Sequence, residues 1–258
     1  MAISQGKVVV LTGASRGIGL ATAHYLLTSS PTTNLLTISR TRGSLSTLSS
    51  THTSRLEILE GDISSETLGQ TAVDTAIRKW GRIDALIVNH GTLEPVKKIA
   101  DARVEEWRMA FEVNVFGTVG IIKAAIPHLR ETNGRIILTS SGAAVTAYQG
   151  WAAYGSSKAI FNHLALSLTV EEPLITTLSI RPGVVDTDMQ RDIREKHAET
   201  MSAKDAEKFA GLKKDGGLLR AEQPGYVIAR LSVEGDVKGL SGKFLNWNDQ
   251  SLGAWQEE

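Results

Sequence analysis

Residues Lys7-Val8-Val9-Val10-Leu11 run straight into Thr12-Gly13-Ala14-Ser15-Arg16-Gly17-Ile18-Gly19, and the segment that follows, 20–27, is rich in helix formers until Pro31 stops it. A short β-branched apolar run reads as a fully buried strand, and a proline cannot continue a helix. Strand, glycine-rich turn and helix within about thirty residues open a dinucleotide-binding βαβ unit. The glycines let the backbone turn sharply and come close to a pyrophosphate, whose charge the first helical N–H groups and the helix dipole receive. The spacing is Gly-x-x-x-Gly-x-Gly rather than the more familiar Gly-x-Gly-x-x-Gly, so a tight turn that binds nothing competes with this reading. The strand before and the helix after weigh against it.

Downstream, strand-like and helix-like segments alternate. Strands are expected at 35–38, 56–59, 83–88, 135–138, 175–180 and 242–247. Helices are expected at 67–80, closed by Gly81, and in two long tracts, 104–129 and 152–171. This alternation predicts an α/β fold: one Rossmann-type, doubly wound parallel sheet with helices on both faces, formed by residues 1–258 as a single domain. Ligands of such sheets sit at the C-terminal ends of the strands. The Ser/Thr-rich stretch 42–54 has the look of low complexity, but Leu45 and Leu48 suggest a short surface helix.

Bulk properties narrow the function classes. A chain of 258 residues with 41% hydrophobic residues suits one domain with a sizeable core. Lys plus Arg and Asp plus Glu both number 28, which leaves no electrostatic footprint for nucleic acid or an anionic membrane. Without cysteine there is no disulfide or thiolate chemistry, and an intracellular, cytoplasmic address is expected. The first strand starts close to Met1, leaving no room for a signal or transit peptide. No apolar stretch is read as approaching the roughly twenty residues of a membrane span.

Tyr154 and Lys158, in Trp151-Ala-Ala-Tyr154-Gly-Ser-Ser-Lys158, lie one helical turn apart and leave the same helix face. A phenol titrates near ~10, and an ammonium beside it favours the phenolate, drawing it toward the working range. Such a pair could donate a proton to a carbonyl oxygen without His, Cys or metal. Taken alone, Tyr-x-x-x-Lys is more often a solvated surface pair; the glycine turn at the other end of the chain changes the odds.

Thr-Gly-x-x-x-Gly-x-Gly followed far downstream by Tyr-x-x-x-Lys resembles the short-chain dehydrogenase/reductase family, and further landmarks follow in order over almost the whole chain. Asp62, in Glu60-Gly61-Asp62-Ile63, matches the acid that binds adenine, and Asn89 the stretch lining the adenosine side. Asn114 matches the helical catalytic asparagine, Ser141 the catalytic serine, and Arg181-Pro182-Gly183 through Thr187 the nicotinamide loop. The resemblance implies that Tyr154 donates the proton while Ser141 fixes the substrate oxygen. Lys158 holds the nicotinamide ribose and lowers the Tyr154 pKa, and Asn114 anchors a water linking Lys158 to solvent. Ser140 competes with Ser141, but the spacing to Tyr154 favours Ser141. The implied cofactor contacts are Gly13, Ser15, Arg16, Gly17, Ile18, Gly19, Arg40, Asp62, Asn89, Tyr154, Lys158, Val185 and Thr187; no metal is implied. One departure stands out: Val88-Asn89-His90-Gly91 replaces the family's Asn-Asn-Ala-Gly, so His90 either crowds the cofactor edge, adds a hydrogen bond there, or is a tolerated variation.

Cofactor choice rests on the end of strand two, where readers of NAD place an acid for the ribose hydroxyl. Here Arg40 follows Ser39, Arg42 is nearby, and Arg16 sits within the glycine turn. Guanidinium groups suit a phosphate dianion, so NADP(H) is expected. The tract 188–219 falls where the family places a substrate lid; its Met189, Ile193, Met201, Phe209 and Leu212 could close over an apolar ligand or merely anchor a solvated helix pair. Gly150-Trp151-Ala-Ala-Tyr154 and Leu93-Glu94-Pro95-Val96 are similar to the sepiapterin-reductase-like and benzil-reductase-like branch, whose members reduce vicinal dicarbonyls and related ketones. Tyr148, Trp151 and Met189 are the expected substrate contacts. The expectation is an NADPH-dependent carbonyl reductase acting on a small molecule. An NADP-dependent alcohol dehydrogenase and a non-catalytic NADPH sensor are the alternatives. The family usually forms homodimers or homotetramers through its long central helices, for which Trp107, Phe111, Phe116, Phe161 and Leu164 could supply the seam or the core.

Overall fold

Every residue of strand β1 (Val8–Thr12) is buried, because the strand is covered on both edges and both faces. The remaining strands are β2 (Asn34–Ser39), β3 (Leu56–Glu60), β4 (Ala85–Val88), β5 (Arg135–Thr139), β6 (Thr176–Arg181) and β7 (Phe244–Asn246). In the computed structural model, which describes residues 6–256, they form one all-parallel sheet in the order β3-β2-β1-β4-β5-β6-β7. The helices between them are α1 (Gly17–Thr28), α2 (Leu45–Thr51), α3 (Leu68–Trp80), α4 (Val104–Phe111), α5 (Gly117–Thr132), α6 (Ala152–Glu171), α7 (Asp188–Glu195), α8 (Ala203–Lys214) and α9 (Glu222–Val233).

The two-residue period of a strand divides the core. Val9 and Leu11 point toward α1 and α9, where they meet Ala23, Leu26, Val227 and Ile228. Val8 and Val10 point the other way, toward α3, α5 and α6, among Val73, Ile121, Leu129 and Phe161. The chain builds outward from β1 to β3, then crosses back to lay β4 against the free edge of β1. That reversal opens a crevice beyond the C-terminal ends of β1 and β4, the standard ligand position in a doubly wound sheet.

The expected fold and strand set are present, with differences in detail. The tract read as one α-helix over 104–129 is a helical run reaching Thr132, broken by a π-turn at Glu112–Phe116 that contains Asn114. Apolar periodicity alone cannot register the extra residue of a π-turn. Contrary to the expectation of no membrane-length segment, this run of 29 residues is long and apolar enough to cross a membrane by length and composition. Its Ile121, Ile122, Ala125 and Leu129 are instead packed under the sheet. Among the aromatic residues proposed for a seam, Phe161 is core, Trp107 and Phe111 stack on one another, and Phe116 is exposed.

Two glycines let the first turn close. Gly13 adopts φ +69°, and a Cβ there would lie 2.8 Å from the His90 main chain. At Gly19 a Cβ would lie 2.1 Å from the Gly13 carbonyl oxygen and 2.6 Å from Asn89 Nδ2. Gly19→Ala must therefore push α1 away from the β1 and β4 ends. Its unfolding free energy in urea is expected to drop by about 1–3 kcal/mol; a variant as stable as the parent would contradict this packing.

Candidate active site

A cavity of about 970 Å³ occupies the crevice. One end is walled by Arg40 and Asp62, its middle by Gly13, Asn89 and His90, and its far end by Ser141, Tyr154 and the aromatic side chains of Tyr148 and Trp151. Ser15, Arg16, Ile18, Lys158, Val185, Thr187 and Met189 line it too. Gly17, Gly19 and Asn114 stand behind the wall: Gly17 packs on Thr187, Gly19 on Gly13, and Asn114 on the loop after β4.

The β1–α1 turn fits a dinucleotide. Helix α1 begins without a side-chain cap and without an acid in its first turn, leaving its leading N–H groups and positive dipole end for an anion. Asn89 Nδ2 donates to the Gly13 carbonyl at 3.0 Å, so this side chain holds the turn itself. Asp62 accepts from the amide and hydroxyl of Ser64, which hold its carboxyl below the usual range, with Arg40 adding to the effect. Arg40 is exposed and has no ion pair among the described residues, whereas Arg42 pairs with Glu60 at 2.7 Å. Arg16 reaches across the mouth to Asp188 at 3.1 Å, a contact no sequence pattern announced. Both partners are solvent-exposed, so the pair contributes little to stability and can open for another anion.

Helix α6 presents Tyr154 and Lys158 on its buried face. Lys158 Nζ donates to the Thr139 carbonyl at 2.9 Å and lies 4.1 Å from the centre of the Phe161 ring. Burial lowers its pKa to about 7. The expected lowering of Tyr154 by Lys158 does not hold here. Burial pushes the phenol above its ordinary value, opposed only by a hydrogen bond with the Ser141 side chain. Lys158 Nζ is 6.0 Å from the Tyr154 ring centre and turned toward β5, so desolvation outweighs its charge. Ser141 lies just beyond the end of β5 and lines the cavity, with its Oγ accepting from the Ala143 amide at 3.1 Å. Ser140 Oγ is committed to Asn162 Oδ1 and the Lys158 carbonyl, which gives it a structural task.

Asn114 is wholly buried in the π-turn. Its Oδ1 accepts from the Thr92 amide at 2.8 Å, and its Nδ2 donates to the Thr92 carbonyl and to Ser157 Oγ. The side chain is thus a brace that fixes the Gly91–Thr92 backbone opposite α6, with both amide protons already used.

His90 neither crowds the cavity nor stays free. Its Nε2 is 3.0 Å from the Val113 carbonyl, which can only accept, so Nε2 carries the proton. Nδ1 then accepts from Thr12 Oγ at 2.7 Å, while that same Oγ accepts from the Asn89 and His90 amides. Thr118 Oγ completes the shell. The imidazole is neutral: burial, with Lys158 nearby, pushes its pKa down to about 3.

The tract 188–219, expected as a substrate lid, forms α7, a short 3-10 turn and α8. Ile193, Met201 and Phe209 are buried in one cluster with Leu93, Val96, Trp151 and Tyr154, and Met189 and Leu212 pack against it. Met189, Ile193 and Phe209 reach the cavity, whereas Met201 and Leu212 back the cluster. Contacts that join this tract to the body include Arg16 with Asp188, Lys213 with Asp186 at 2.8 Å, His197 Nε2 with Glu94 Oε1 at 3.0 Å, and Gln149 Nε2 with the Thr200 carbonyl at 2.7 Å. Sequence reading missed Gln190, a buried cavity residue. The available signal was Thr187-x-x-Gln190, a helix-start spacing, and Thr187 Oγ does cap the Gln190 amide.

Residues 7–198 match the family model described as short chain dehydrogenase. The chain is 41% identical to an uncharacterized oxidoreductase of Schizosaccharomyces pombe, covering 96% of this chain and 98% of the relative. It is 36% identical to a benzil reductase ((S)-benzoin forming) of Saccharomyces cerevisiae, covering 97% and 99%. The crystal structure of a short chain dehydrogenase/reductase from Saccharomyces cerevisiae superposes with a TM-score of 0.95 at 36% identity, covering 98% of this chain and 100% of that one.

His90 makes stability depend on pH. An unfolded chain takes up a proton there below about 6.5, the folded protein only near 3. The contribution is therefore complete above that window and lost as pH falls through it. The slope from this residue is about 1.4 kcal/mol per pH unit. His90→Gln should show a shallower acid slope in urea unfolding followed from pH 7 to 4; parallel slopes would contradict a neutral, buried imidazole.

Proposed function

This chain belongs to the short-chain dehydrogenase/reductase family, and from that premise we propose that it is an NADPH-dependent reductase of a ketone or vicinal dicarbonyl. The observation that carries the reading is the convergence of the Tyr154 phenol, the Ser141 side chain and Lys158 in the same cavity as an uncapped, glycine-turned helix start. When bound, a nicotinamide dinucleotide supplies the hydride. The chain's own residues supply orientation and the proton. Gly13, Ser15 and Ile18 form the pyrophosphate turn, Asp62 serves the adenine end, and Val185 and Thr187 orient the carboxamide. Tyr148, Trp151 and Met189 shape the space for substrate.

Preference for the phosphorylated cofactor rests on Arg40, which lines the cavity without an ion pair among the described residues, and on Arg16 close by. No acid follows β2 to hold a ribose hydroxyl. Ser141 and Tyr154 together hold the substrate oxygen, and Tyr154 protonates it as it becomes an alkoxide. Burial keeps the phenol protonated, the state that donates in the reductive direction, and the preference for reduction over oxidation rests on Arg16 and Arg40, which suit the phosphorylated cofactor. Lys158 restores the phenol and holds the cofactor ribose, and Asn114 positions this group of side chains. A non-catalytic sensor would not need this donor pair. The tract 188–219 acts as the substrate lid. A homodimer or homotetramer is part of the proposal, supported by exposed Met109, Phe116 and Val119 along the central helices and Leu166 and Val170 on α6. A cytoplasmic address fits a chain without cysteine.

Tyr154→Phe removes only the hydroxyl. Its kcat for a diketone should fall by about 10²-fold or more, while NADPH affinity, read by nicotinamide fluorescence, stays within a factor of about three. Normal turnover by this variant would remove Tyr154 as the proton donor.

A further inference from the structure

Arg16 stands in the glycine turn between two neighbouring segments. On one side Ser15 packs against the loop that follows β2: a Cβ at Gly43 would lie 2.9 Å from the Ser15 carbonyl oxygen and 3.2 Å from the Ser15 Cβ. On the other side Gly17 packs against the start of α7, where a Cβ on Gly17 would lie 3.1 Å from Thr187 Cγ2. The main chain of Arg16 is thus pinned between the segment 40–43 and the segment 187–188, and its long side chain can serve either. Its Nη1 donates to Asp188 Oδ2 at 3.1 Å, and Arg191 Nη2 meets the other oxygen, Oδ1, at 2.9 Å. Arg16, Arg40 and Asp188 all line the cavity.

The charges on the two sides account for the direction Arg16 takes. The segment Arg40-Thr41-Arg42-Gly43 holds two cations and no acid, and Glu60 beside it is taken by Arg42. A guanidinium turned that way meets like charges, whereas Asp188 offers an anion. A phosphate dianion next to Arg40 reverses the balance, because it carries more charge than a carboxylate and accepts forked hydrogen bonds from arginine. The exchange costs little. Both partners of the Arg16–Asp188 pair are solvent-exposed, and Arg191 still compensates Asp188 once Arg16 has left. We propose that Asp188 competes with the cofactor's 2′-phosphate for Arg16, so that this carboxylate limits the preference for NADPH over NADH. Asp188 is then a positioning residue that sets cofactor specificity through Arg16, a role that rests on the NADPH reading for the phosphate itself. Removing its charge sharpens the choice of cofactor rather than weakening it.

Dissociation constants for NADPH and NADH, read by nicotinamide fluorescence, test this in the parent protein, Asp188→Asn, Arg16→Gln and the double variant. Both positions carry exposed side chains, so the substitutions leave the core untouched. In Asp188→Asn, NADPH should bind about threefold more tightly, the size of an exposed ion pair, while NADH binding stays the same. In the Arg16→Gln background the same substitution should change neither. A gain shared equally by both cofactors, or one that persists without Arg16, would mean that Asp188 acts only as a charge near the cavity and would overturn the proposal. Unchanged or weaker NADPH binding in Asp188→Asn, in a parent that prefers NADPH, would also overturn it and leave the reductase reading in place. A parent that binds both cofactors equally would discard the NADPH reading, and the competition with it.

Discussion

One hydroxyl, that of Thr12, ties the two strands between which the cavity opens. At the end of β1 it accepts from the Asn89 and His90 amides just beyond β4 and donates to the His90 ring, which reaches on to Val113. The arrangement requires the backbones of Gly13 and His90 to touch, and a side chain at Gly13 or Gly19 would prevent it. The glycine turn, the β4 loop and the π-turn that carries Asn114 are consequently held at fixed spacing. Asn114 extends the same clamp to Thr92 and, through Ser157, to α6. Tyr154 and Lys158 ride on that helix, so both are set against the glycine turn by a chain of buried polar contacts rather than by apolar packing alone.

Burial also governs the charge states. It lowers Lys158 to about 7, neutralises His90 and raises Tyr154, and in each case the neutral form is favoured. A buried cluster of low charge makes each fixed donor more effective toward a developing negative oxygen than the same donor in water. His90, drawn into this cluster, serves as a rigid strut because it cannot become charged near neutral pH.

Much of the architecture was legible because its causes are local. The β-branched run before Gly13, the helix formers after Gly19 and the alternation of short apolar runs with long amphipathic ones fix the sheet and its switch point. The one-turn spacing of Tyr154 and Lys158 put both on one face of α6, which is the buried one, and Ile193 and Phe209 reach the cavity as their spacing suggested. What stayed hidden depends on contacts between distant segments. The Arg16–Asp188 pair joins residues far apart in the chain, and the side chain of Lys158 chose the Thr139 carbonyl over the phenol. The π-turn adds a residue without disturbing the apolar pattern, and Gln190 looked like one more polar residue in a charged tract. His90 was visible as an unusual residue; its role required knowing that Thr12 and Val113 lie on either side of it.

The proposed reductase requires that the cavity bind NADPH and pass its hydride to a carbonyl. The most direct measurement is the loss of nicotinamide absorbance when the protein meets benzil with NADPH and, separately, with NADH. Rapid oxidation of NADPH with formation of the hydroxyketone, and much slower oxidation of NADH, is the predicted result. Tight binding of NADPH with no turnover of this or any related dicarbonyl would contradict it.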